Sequence, residues 1–359
     1  MSQSLGQHMY LNRKVILKTV KSSHIGSLKC IDPLTQTIAL VVAGDTTSAS
    51  DAGDGSNKSK LILAMSHAIR SIELCSAIDG VIRAIASLED NDVTNAGLGS
   101  NLNLNGCVEC DASLMDGQSL NWGAVGALHG IKNPIKAAEC VLTGQTRQQP
   151  CGLIAPNFLV GEGARSYALN NGCVASELLT ERSQQSYNKY KRLLDSETSD
   201  ESLNAKHKRL DTVGAICVDW AGNVAAGASS GGIHLKPSGR IGQASMMGCG
   251  VWAQNCIAVT TTGTGEYLTK TMFAKECANH LLNTNSPLLQ GIARENRLGG
   301  VLALYHDKES THTELLWGHS THSMCIGYMG SHSKPKAFIS QLPTESKPGL
   351  DFKVEAIND

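Results

Sequence analysis

The sequence predicts an α+β protein in which helices and sheets are stacked in layers. Residues 37–44 are an apolar, β-branched run that ends in glycine, which is typical of a buried strand. Helical patterns follow, and two more strand-like runs, Thr212–Val218 and Val224–Ser230, come later in the chain. Strands and helices grouped in this way favour layered α and β structure over alternating βαβ units.

The helices and turns of the first half are predicted from spacing and from turn residues. Apolar side chains at helical spacing form two faces, made of Leu61, Met65, Ala68 and Ile72 and of Ile78, Val81, Ile82 and Ile85. Residues 101–104 and 107–112 form a predicted hairpin that turns at Asn105-Gly106. A short helix begins at Asn133-Pro134 and ends at Gly144.

In the second half, the two strand-like runs are predicted to pair. If Asp219 lies opposite Asn223 across the turn, the same register places Thr212 opposite Ser230. Directly opposed side chains are about 4.5–5.5 Å apart at Cβ, and a shift of one residue would separate these two hydroxyls. A helix over residues 266–282 and strands near Val301, Leu315 and Met324 follow.

One segment differs from the rest of the chain. Residues 181–210 are rich in Ser, Lys, Glu and Asp and nearly free of large apolar groups. This composition is typical of a disordered or loosely helical linker, and we predict that residues 181–210 are disordered. The linker separates a first part, residues 1–211, from a second part, residues 212–359.

Composition excludes several classes of function. The 359 residues are 41% hydrophobic and carry a net charge of −1, so no strong field favours nucleic acid or a membrane surface. The start of the chain is polar, and no apolar run is long enough to span a bilayer, which predicts a soluble intracellular protein. The twelve cysteines are scattered, and Cys107 and Cys110 form a lone C-x-x-C pair, so we predict no metal site and no cofactor.

The junction Asp211-Thr212 has the features of a self-cleavage site. Thr212 opens a buried strand directly after the linker. A threonine hydroxyl needs a base, and the α-amine freed by a cut before Thr212 would have a pKa of about 7.7–8.0 and lie beside the hydroxyl. The alternative interpretation is an ordinary threonine at the start of a strand.

Motifs on both sides of this junction resemble the type 2 asparaginase and glycosylasparaginase family of N-terminal-nucleophile (Ntn) hydrolases. In chain order they are Asn95-Ala-Gly-Leu-Gly-Ser, Cys110-Asp-Ala-Ser-Leu-Met-Asp-Gly117, Thr212-Val-Gly-Ala, Gly222-Asn-Val-Ala-Ala, Ser229-Ser-Gly-Gly232, Gly239-Arg-Ile-Gly242 and Thr262-Gly-Thr-Gly-Glu266. Within that family the chain is most similar to the threonine aspartase (taspase) branch. Ser229-Ser-Gly-Gly replaces the asparaginase Ser-Thr-Gly-Gly, and Gly242-Gln243 replaces Gly-Asp.

The resemblance implies a four-layer αββα sandwich and a role for each matching residue. Thr212 would be the nucleophile and Asp211-Thr212 the autocleavage bond, while Ser230 would polarise the nucleophile. The oxyanion donors implied by the match are Asn95, Thr262 and Gly263. The implied substrate-binding residues are Arg240, Gln243 and Gly265. Arg240 would bind a substrate carboxylate through its planar fork of donors.

Gln243 bears on the substrate that the resemblance implies. In the asparaginases an Asp at this place pairs with the free α-ammonium of the substrate, and a neutral glutamine lacks that charge. We therefore expect a threonine endopeptidase that cleaves polypeptide substrates after aspartate. Its α fragment (1–211) and β fragment (212–359) are expected to form one structural domain after autocleavage. The resemblance also implies a homodimer of processed units, and substrates among trithorax/MLL-type proteins and general transcription factor IIA.

Two alternatives to the endopeptidase stay open. One is an L-asparaginase or isoaspartyl dipeptidase that acts on small amides. The other is an inactive scaffold that keeps the fold for partner binding. A nucleotide-binding loop at residues 263–270 is excluded because the spacing does not match a Walker motif.

Two basic clusters lie within the linker, at residues 189–192 and 206–209. Their spacing resembles a bipartite nuclear import signal, which predicts a protein of nucleus and cytoplasm. A solvated run of charges that keeps the loop open would have the same composition.

Overall fold

The computed structural model of the protein describes residues 14–18, 23–27, 37–43, 76–195, 212–282, 298–307, 312–330 and 335–357. The α-helices are α1 (Ala77–Glu89), α2 (Pro134–Gly144), α3 (Gly161–Asn170), α4 (Glu181–Asp195), α5 (Gly265–Lys270) and α6 (Phe273–Leu282). The strands are β1 (Lys14–Lys18), β2 (Ser23–Ser27), β3 (Thr37–Ala43), β4 (Cys110–Asp116), β5 (Trp122–Leu128), β6 (Phe158–Val160), β7 (Thr212–Val218), β8 (Val224–Ser230), β9 (Val251–Gln254), β10 (Ile257–Gly263), β11 (Gly299–Asp307), β12 (His312–His319), β13 (Ser323–Met329), β14 (Lys336–Gln341) and β15 (Lys353–Ile357).

Two sheets make up the centre of the fold. The larger has eight strands in the order β14-β13-β3-β7-β8-β4-β5-β6, and the smaller has five in the order β15-β12-β11-β10-β9. Neighbouring strands in both sheets are antiparallel, except for the parallel pair β5 and β6. Strands β1 and β2 form a separate pair.

Three apolar clusters define the order of the layers. Helices α1, α2 and α3 pack on one face of the eight-stranded sheet, where Val213 and Ala215 of β7 meet Val81 of α1. On the other face, Ile216 of β7 packs against Ala258 of β10, between the two sheets. Helix α6 covers the outer face of the smaller sheet. The layers therefore follow the order αββα, and the α+β prediction is confirmed.

Helix α1 shows how the local sequence produces this packing. The Ser76 hydroxyl accepts a hydrogen bond from the backbone N–H of Asp79 (3.2 Å) and so caps the first turn. Val81 and Ile85, which lie on the predicted face, are buried against the sheet. Each such side chain stabilises the fold by about 1.5–3 kcal/mol. Gly227 of β8 permits this approach, because a Cβ there would lie 2.6 Å from Val81 and 2.8 Å from Ile85.

The prediction that residues 181–210 are disordered is wrong in part. Residues 181–195 form the regular helix α4 instead of a disordered segment, while residues 196–210 lie outside the described residues. The helix is held by tertiary contacts that its polar composition does not reveal. The ring of Tyr190 stacks on His234 at 4.3 Å between centroids, and the Tyr187 hydroxyl donates to the Leu104 carbonyl (3.1 Å).

Other predicted elements differ in their limits. The helix expected over residues 266–282 is divided into α5 and α6 at Met272, whose φ is +48°. The hairpin at Asn105-Gly106 is limited to a single bridge between Leu102 and Val108, and strand β4 begins only at Cys110. The predicted helical face of residues 61–72 lies outside the described residues. In the part of the chain that the structure describes, no helix is long and apolar enough to cross a membrane.

The spacing of the two sheets depends on a glycine in β7. A Cβ on Gly214 would clash with Oγ1 of Thr260 on β10 and lie 2.8 Å from Cγ2 of the same residue. The Thr260 hydroxyl also donates to the Gly227 carbonyl (3.1 Å), so Thr260 joins the two layers.

We therefore expect Gly214→Ala to lower the free energy of unfolding by about 1–3 kcal/mol, because the added methyl group overpacks the contact between the sheets. Gly163→Ala is the matched control. Gly163 lies inside helix α3 with nothing within 4 Å of its added Cβ. The control should stabilise the protein by about 0.5–1 kcal/mol. Denaturant unfolding of both variants measures the difference, and equal stabilities would contradict the role given to Gly214.

Candidate active site

Strand pairing places three polar residues in one row across the eight-stranded sheet. Strand β7 pairs with β8 so that Val213 lies opposite Ser229, and the same register places Thr212 opposite Ser230. Ser230 lies opposite Asp111 of β4 on its other side. The predicted register is confirmed. Because the residues of such a row point to the same face, these side chains lie between the two sheets and not beneath the helices.

Thr212, the predicted nucleophile, is buried at the start of β7. Its Oγ1 accepts a hydrogen bond from Nε2 of Gln243 at 3.1 Å. Gln243 is itself buried, in the short 3₁₀ turn Gln243–Ser245. The structure thus brings a residue expected to contact the substrate into direct contact with the candidate nucleophile. Asp211 lies outside the described residues.

The Ser230 hydroxyl lies at a tight turn that Asn95 supports. Ser230 Oγ accepts a hydrogen bond from the N–H of Gly232 (3.0 Å). Asn95 accepts from the N–H of Gly231 with its backbone carbonyl (2.8 Å) and donates to the Gly232 carbonyl with its side chain (2.8 Å). In this arrangement Asn95, predicted as an oxyanion donor, fixes the backbone on which Ser230 lies.

Thr262 and Gly263 end strand β10. Thr262 is completely buried, and its Oγ1 has no hydrogen-bond partner among the described residues. It lies two residues after Thr260, on the face that points to the other sheet. An unpaired buried hydroxyl is costly, so this group is free to donate to an oxygen that arrives with a ligand. Gly263 has a φ of +144°, and a Cβ there would lie 2.5 Å from the Leu298 carbonyl oxygen.

Arg240, Gln243 and Gly265 converge beside Thr212. A Cβ on Gly265 would lie 2.8 Å from Oε1 of Gln243 and 3.0 Å from a terminal nitrogen of Arg240, so a larger residue would displace both side chains. The guanidinium of Arg240 donates from Nε (2.9 Å) and Nη2 (2.6 Å) to one oxygen of Glu266. The Nη1 group points the other way, towards Gly242. One edge of the guanidinium is therefore held by Glu266, while the edge formed by Nη1 and Nη2 keeps donors for a ligand.

Asp111 fixes the loop that carries Arg240 and Gln243. Its carboxylate is fully buried and accepts hydrogen bonds from the N–H of Gly242 (2.8 Å) and of Ala127 (3.0 Å). Ala127 has a φ of +47°, at an irregularity in the pairing of β4 with β5. Burial raises the pKa of Asp111, and the positive charges of Lys236 and Arg240 act against this rise.

The sequence did not assign Asp111, Glu266 or Lys236 to the site. Asp111 and Glu266 lie inside motifs that matched the family, so their position in a motif was the signal that could have identified them. Lys236 is completely buried, and its Nζ donates to the Glu109 carbonyl at 2.7 Å. Among the described residues, no three His, Cys, Asp or Glu side chains are grouped closely enough to hold a metal ion.

A buried acid lies behind strand β8, on the helical side. Glu89, at the end of α1, is completely buried and accepts a hydrogen bond from the N–H of Ile135 (3.0 Å). Burial raises the pKa of Glu89 to about 8, and the negative charge of Asp90 acts in the same direction. The hydrogen bond from the backbone N–H of Ile135 acts in the opposite direction. At neutral pH Glu89 is therefore mostly protonated.

This protonation makes stability depend on pH. Between the ordinary pKa of 4.5 and the folded value of about 8, the unfolded chain loses the proton of Glu89 while the folded protein keeps it. The free energy of unfolding should therefore fall as the pH rises through this window and become level above it. Glu89→Gln, which is neutral at every pH, should remove this contribution. Unfolding curves from pH 5 to pH 8.5 measure the difference, with Glu181→Gln on the exposed side of α4 as control. Parallel curves for wild type and Glu89→Gln would show that Glu89 is ionised in the fold.

The chain is similar in sequence to proteins of a known family. The model of the asparaginase family (Asparaginase_2) matches residues 36–339. The human isoaspartyl peptidase/L-asparaginase is 40% identical over 210 residues, which cover 57% of this chain and 64% of that protein, so the chain spans less than two thirds of this relative's length. The isoaspartyl peptidase/L-asparaginase of Danio rerio is 35% identical over 240 residues (65% and 74%), and the plant-type L-asparaginase of Thermococcus kodakarensis is 35% identical over 218 residues (58% and 68%). The chain belongs to the asparaginase family of N-terminal-nucleophile hydrolases.

Proposed function

We propose that this chain is a self-cleaving threonine hydrolase, and that the processed enzyme cleaves polypeptides after aspartate. The observation that carries the proposal is the hydrogen bond between Gln243 and Thr212, with Arg240 beside it. It places a neutral carboxamide, and not a carboxylate, between the candidate nucleophile and the candidate carboxylate-binding group.

The position of Thr212 supports the nucleophilic role. Its hydroxyl is buried in the row with Ser230, and a cut before it would release an α-amine next to that hydroxyl. Such an amine can take the proton of the hydroxyl near neutral pH and return it to the leaving group. The negative charge that develops on the attacked carbonyl oxygen needs donors, and the unpaired Thr262 hydroxyl can supply one.

Arg240 supports an acidic residue at the cleaved position. Two parallel N–H groups of a guanidinium bind a carboxylate in a fixed orientation, and the edge of Arg240 away from Glu266 offers them. The aspartate side chain would then set the distance between its own backbone carbonyl and Thr212. A glutamate is one methylene longer and would displace that carbonyl.

The two carboxylates near Arg240 support a peptide over a free amino acid. Asp111 is occupied by two backbone N–H groups, and Glu266 is occupied by Arg240 itself. A free α-ammonium group would therefore lack a dedicated negative partner beside Gln243. An unpaired charge in a buried site typically costs several kcal/mol. An internal aspartate presents an uncharged amide at the same place.

A second candidate is an isoaspartyl peptidase/L-asparaginase. It is favoured by the names of the similar proteins, which are 35–41% identical to this chain. The nucleophile, its activation and Arg240 would serve both reactions. The two candidates differ in how the site treats the substrate's α-amine, and this difference defines the experiment that separates them.

The proposal extends to nuclear regulators as substrates, such as trithorax/MLL-type proteins and general transcription factor IIA, and to a homodimer of processed units in nucleus and cytoplasm. Lys189 and Arg192 of the first basic cluster are exposed on α4, as an import signal requires, whereas Tyr190 between them is buried. The second cluster, residues 206–209, lies outside the described residues.

The first test concerns self-cleavage. Purified wild-type protein should separate into two fragments on a denaturing gel, and the smaller should begin with Thr-Val-Gly-Ala. Thr212→Ala should remain one chain because no hydroxyl is left to attack Asp211. Thr212→Ser should still cleave, and Thr146→Ala, at an exposed threonine after α2, should behave as wild type. Cleavage of Thr212→Ala at the same bond would exclude Thr212 as the nucleophile.

The second test compares substrates with the same processed enzyme. A peptide with an internal aspartate should be cleaved, its Asp→Glu variant should be slower by about 10²-fold or more because its carbonyl is misplaced, and free asparagine and a β-aspartyl dipeptide should be turned over slowly. Gln243→Asp should gain activity on free asparagine, since it supplies a partner for the ammonium group.

Two variants and one control examine the carboxylate-binding group. Arg240→Ala should lose cleavage of the peptide. Asp111→Asn should raise KM more than it lowers kcat, because it loosens the loop that carries Arg240. Arg165→Ala is the control, since this arginine is also paired with a glutamate but lies on α3. Faster turnover of free asparagine or of the β-aspartyl dipeptide than of the peptide would favour the second candidate function.

A further inference from the structure

Two cysteines meet in the outer helical layer, apart from the candidate active site. Cys140 lies on α2, and Cys173 follows the turn after α3. Their sulfur atoms are 3.6 Å apart, and both side chains are half-buried. Neither residue has a part in the chemistry proposed for Thr212.

We propose that Cys140 and Cys173 are a reversible dithiol–disulfide pair that ties α2 to the turn after α3. The oxidant would be a peroxide or a small disulfide such as oxidised glutathione.

The backbone around Cys173 can accommodate bond formation. The sulfur atoms are in contact and must approach by about 1.5 Å to reach the length of a disulfide bond. Cys173 follows Gly172, which has a φ of +89° and nothing within 4 Å of a built Cβ. The Gly172 side of the turn therefore has open space into which the backbone can shift, while Cys173 itself packs on the core cluster beneath the helices. Cys140, in contrast, is held in a regular helix.

The two thiols are not equivalent, which assigns their roles. Hydrogen bonding from Cys173 lowers the pKa of Cys140, and the positive charge of Arg147 acts in the same direction. The contact with Cys140, together with burial, raises the pKa of Cys173. Cys140 is therefore the thiol that ionises first and attacks the oxidant.

With oxidised glutathione, the Cys140 thiolate attacks one sulfur, forms a mixed disulfide and releases one glutathione thiolate. Cys173 then loses its proton to solvent and attacks the Cys140 sulfur, which releases the second glutathione. With a peroxide, the Cys140 thiolate attacks one peroxide oxygen, the O–O bond breaks, and the other oxygen leaves as water or an alcohol, which gives a sulfenic acid. The Cys173 sulfur then attacks the Cys140 sulfur and displaces water. In both routes the two cysteines lose two electrons and two protons in total.

Five other cysteines among the described residues are either buried or exposed, unlike this half-buried pair. Cys277 and Cys325 are buried, and burial raises the pKa of each to about 12. Cys110 is fully buried beside the Ser100 hydroxyl, and burial raises its pKa to about 11. Cys107 and Cys151 are exposed, so they serve as internal references for the reactivity of unpaired surface thiols.

The disulfide would close a loop over residues 141–172, which includes the end of α2, strand β6 and helix α3. This loop also carries the exposed side chains of Leu153 and Ile154. A bond here restrains the unfolded chain and holds α3 against α2, so oxidation should raise thermal stability. It does not touch Thr212, so the proposal stands independently of the proposed function.

To test this, the purified full-length protein is equilibrated with reduced and oxidised glutathione at graded ratios. Free thiols are then alkylated, and the peptides are mapped by mass spectrometry without reduction. We expect a linked pair of peptides that contain Cys140 and Cys173, a loss of two free thiols per chain, and a melting temperature that rises and returns to its first value after dithiothreitol. Cys140→Ser and Cys173→Ser should each abolish both the link and the rise, while Cys151→Ser should keep them.

Three outcomes would overturn the proposal. The first is a stable mixed disulfide of glutathione on Cys140 with Cys173 still reduced. The second is oxidation that links Cys107 or Cys151 while the proposed pair stays reduced. The third is a rise in melting temperature that persists in Cys140→Ser. The peptide map of the wild-type protein decides the first two even if a serine variant fails to fold.

Discussion

The pairing of β7 with β8 decides what the rest of the site can do. In the observed register Thr212 lies in a row with Ser230 and Asp111 and faces the smaller sheet. A slip of one residue would turn Thr212 towards the helices, where Val213 now packs on α1. Both faces of β7 are apolar, since Val213 and Ala215 pack towards the helices while Ile216 and Val218 pack towards the smaller sheet. The register of β7 therefore decides which of these two layers Thr212 faces. Gly214, between Val213 and Ala215, sets how closely β10 approaches.

Charge in the site is arranged around a single guanidinium. Glu266 holds one edge of Arg240, and Asp111 holds the backbone of the loop on the other side. Neither carboxylate contacts Thr212 in the hydrogen bonds described, whereas the neutral Gln243 does. Under the proposed function, Arg240 would recognise a substrate carboxylate with a guanidinium that is already oriented, and Thr212 would react in a polar but uncharged setting. Orientation fixed before binding reduces the entropy that binding must overcome.

Much of this architecture follows from local sequence, and the remainder depends on distant contacts. The limits of β7 and β8 and their register could be predicted because continuous apolar runs and the turn at residues 219–223 act over a few residues. Helix α4 could not, because a polar helix is stabilised here by the stacking of Tyr190 on His234. The role of Asp111 depends on the N–H of Gly242, 131 residues away, and such a pairing has no periodic signal.

The eight-stranded sheet interleaves segments from both sides of residue 212. Strand β3 lies between β13 and β7, and β8 lies between β7 and β4. After a cut before Thr212, both polypeptides would contribute strands to the same sheet. Folding before the cut is a unimolecular process, but refolding after it would require two separate chains to find each other, at a rate set by their concentration. The stability of the processed protein would thus be kinetic and set by a slow rate of unfolding. Once unfolded and diluted, the two chains would not readily refold to the native structure.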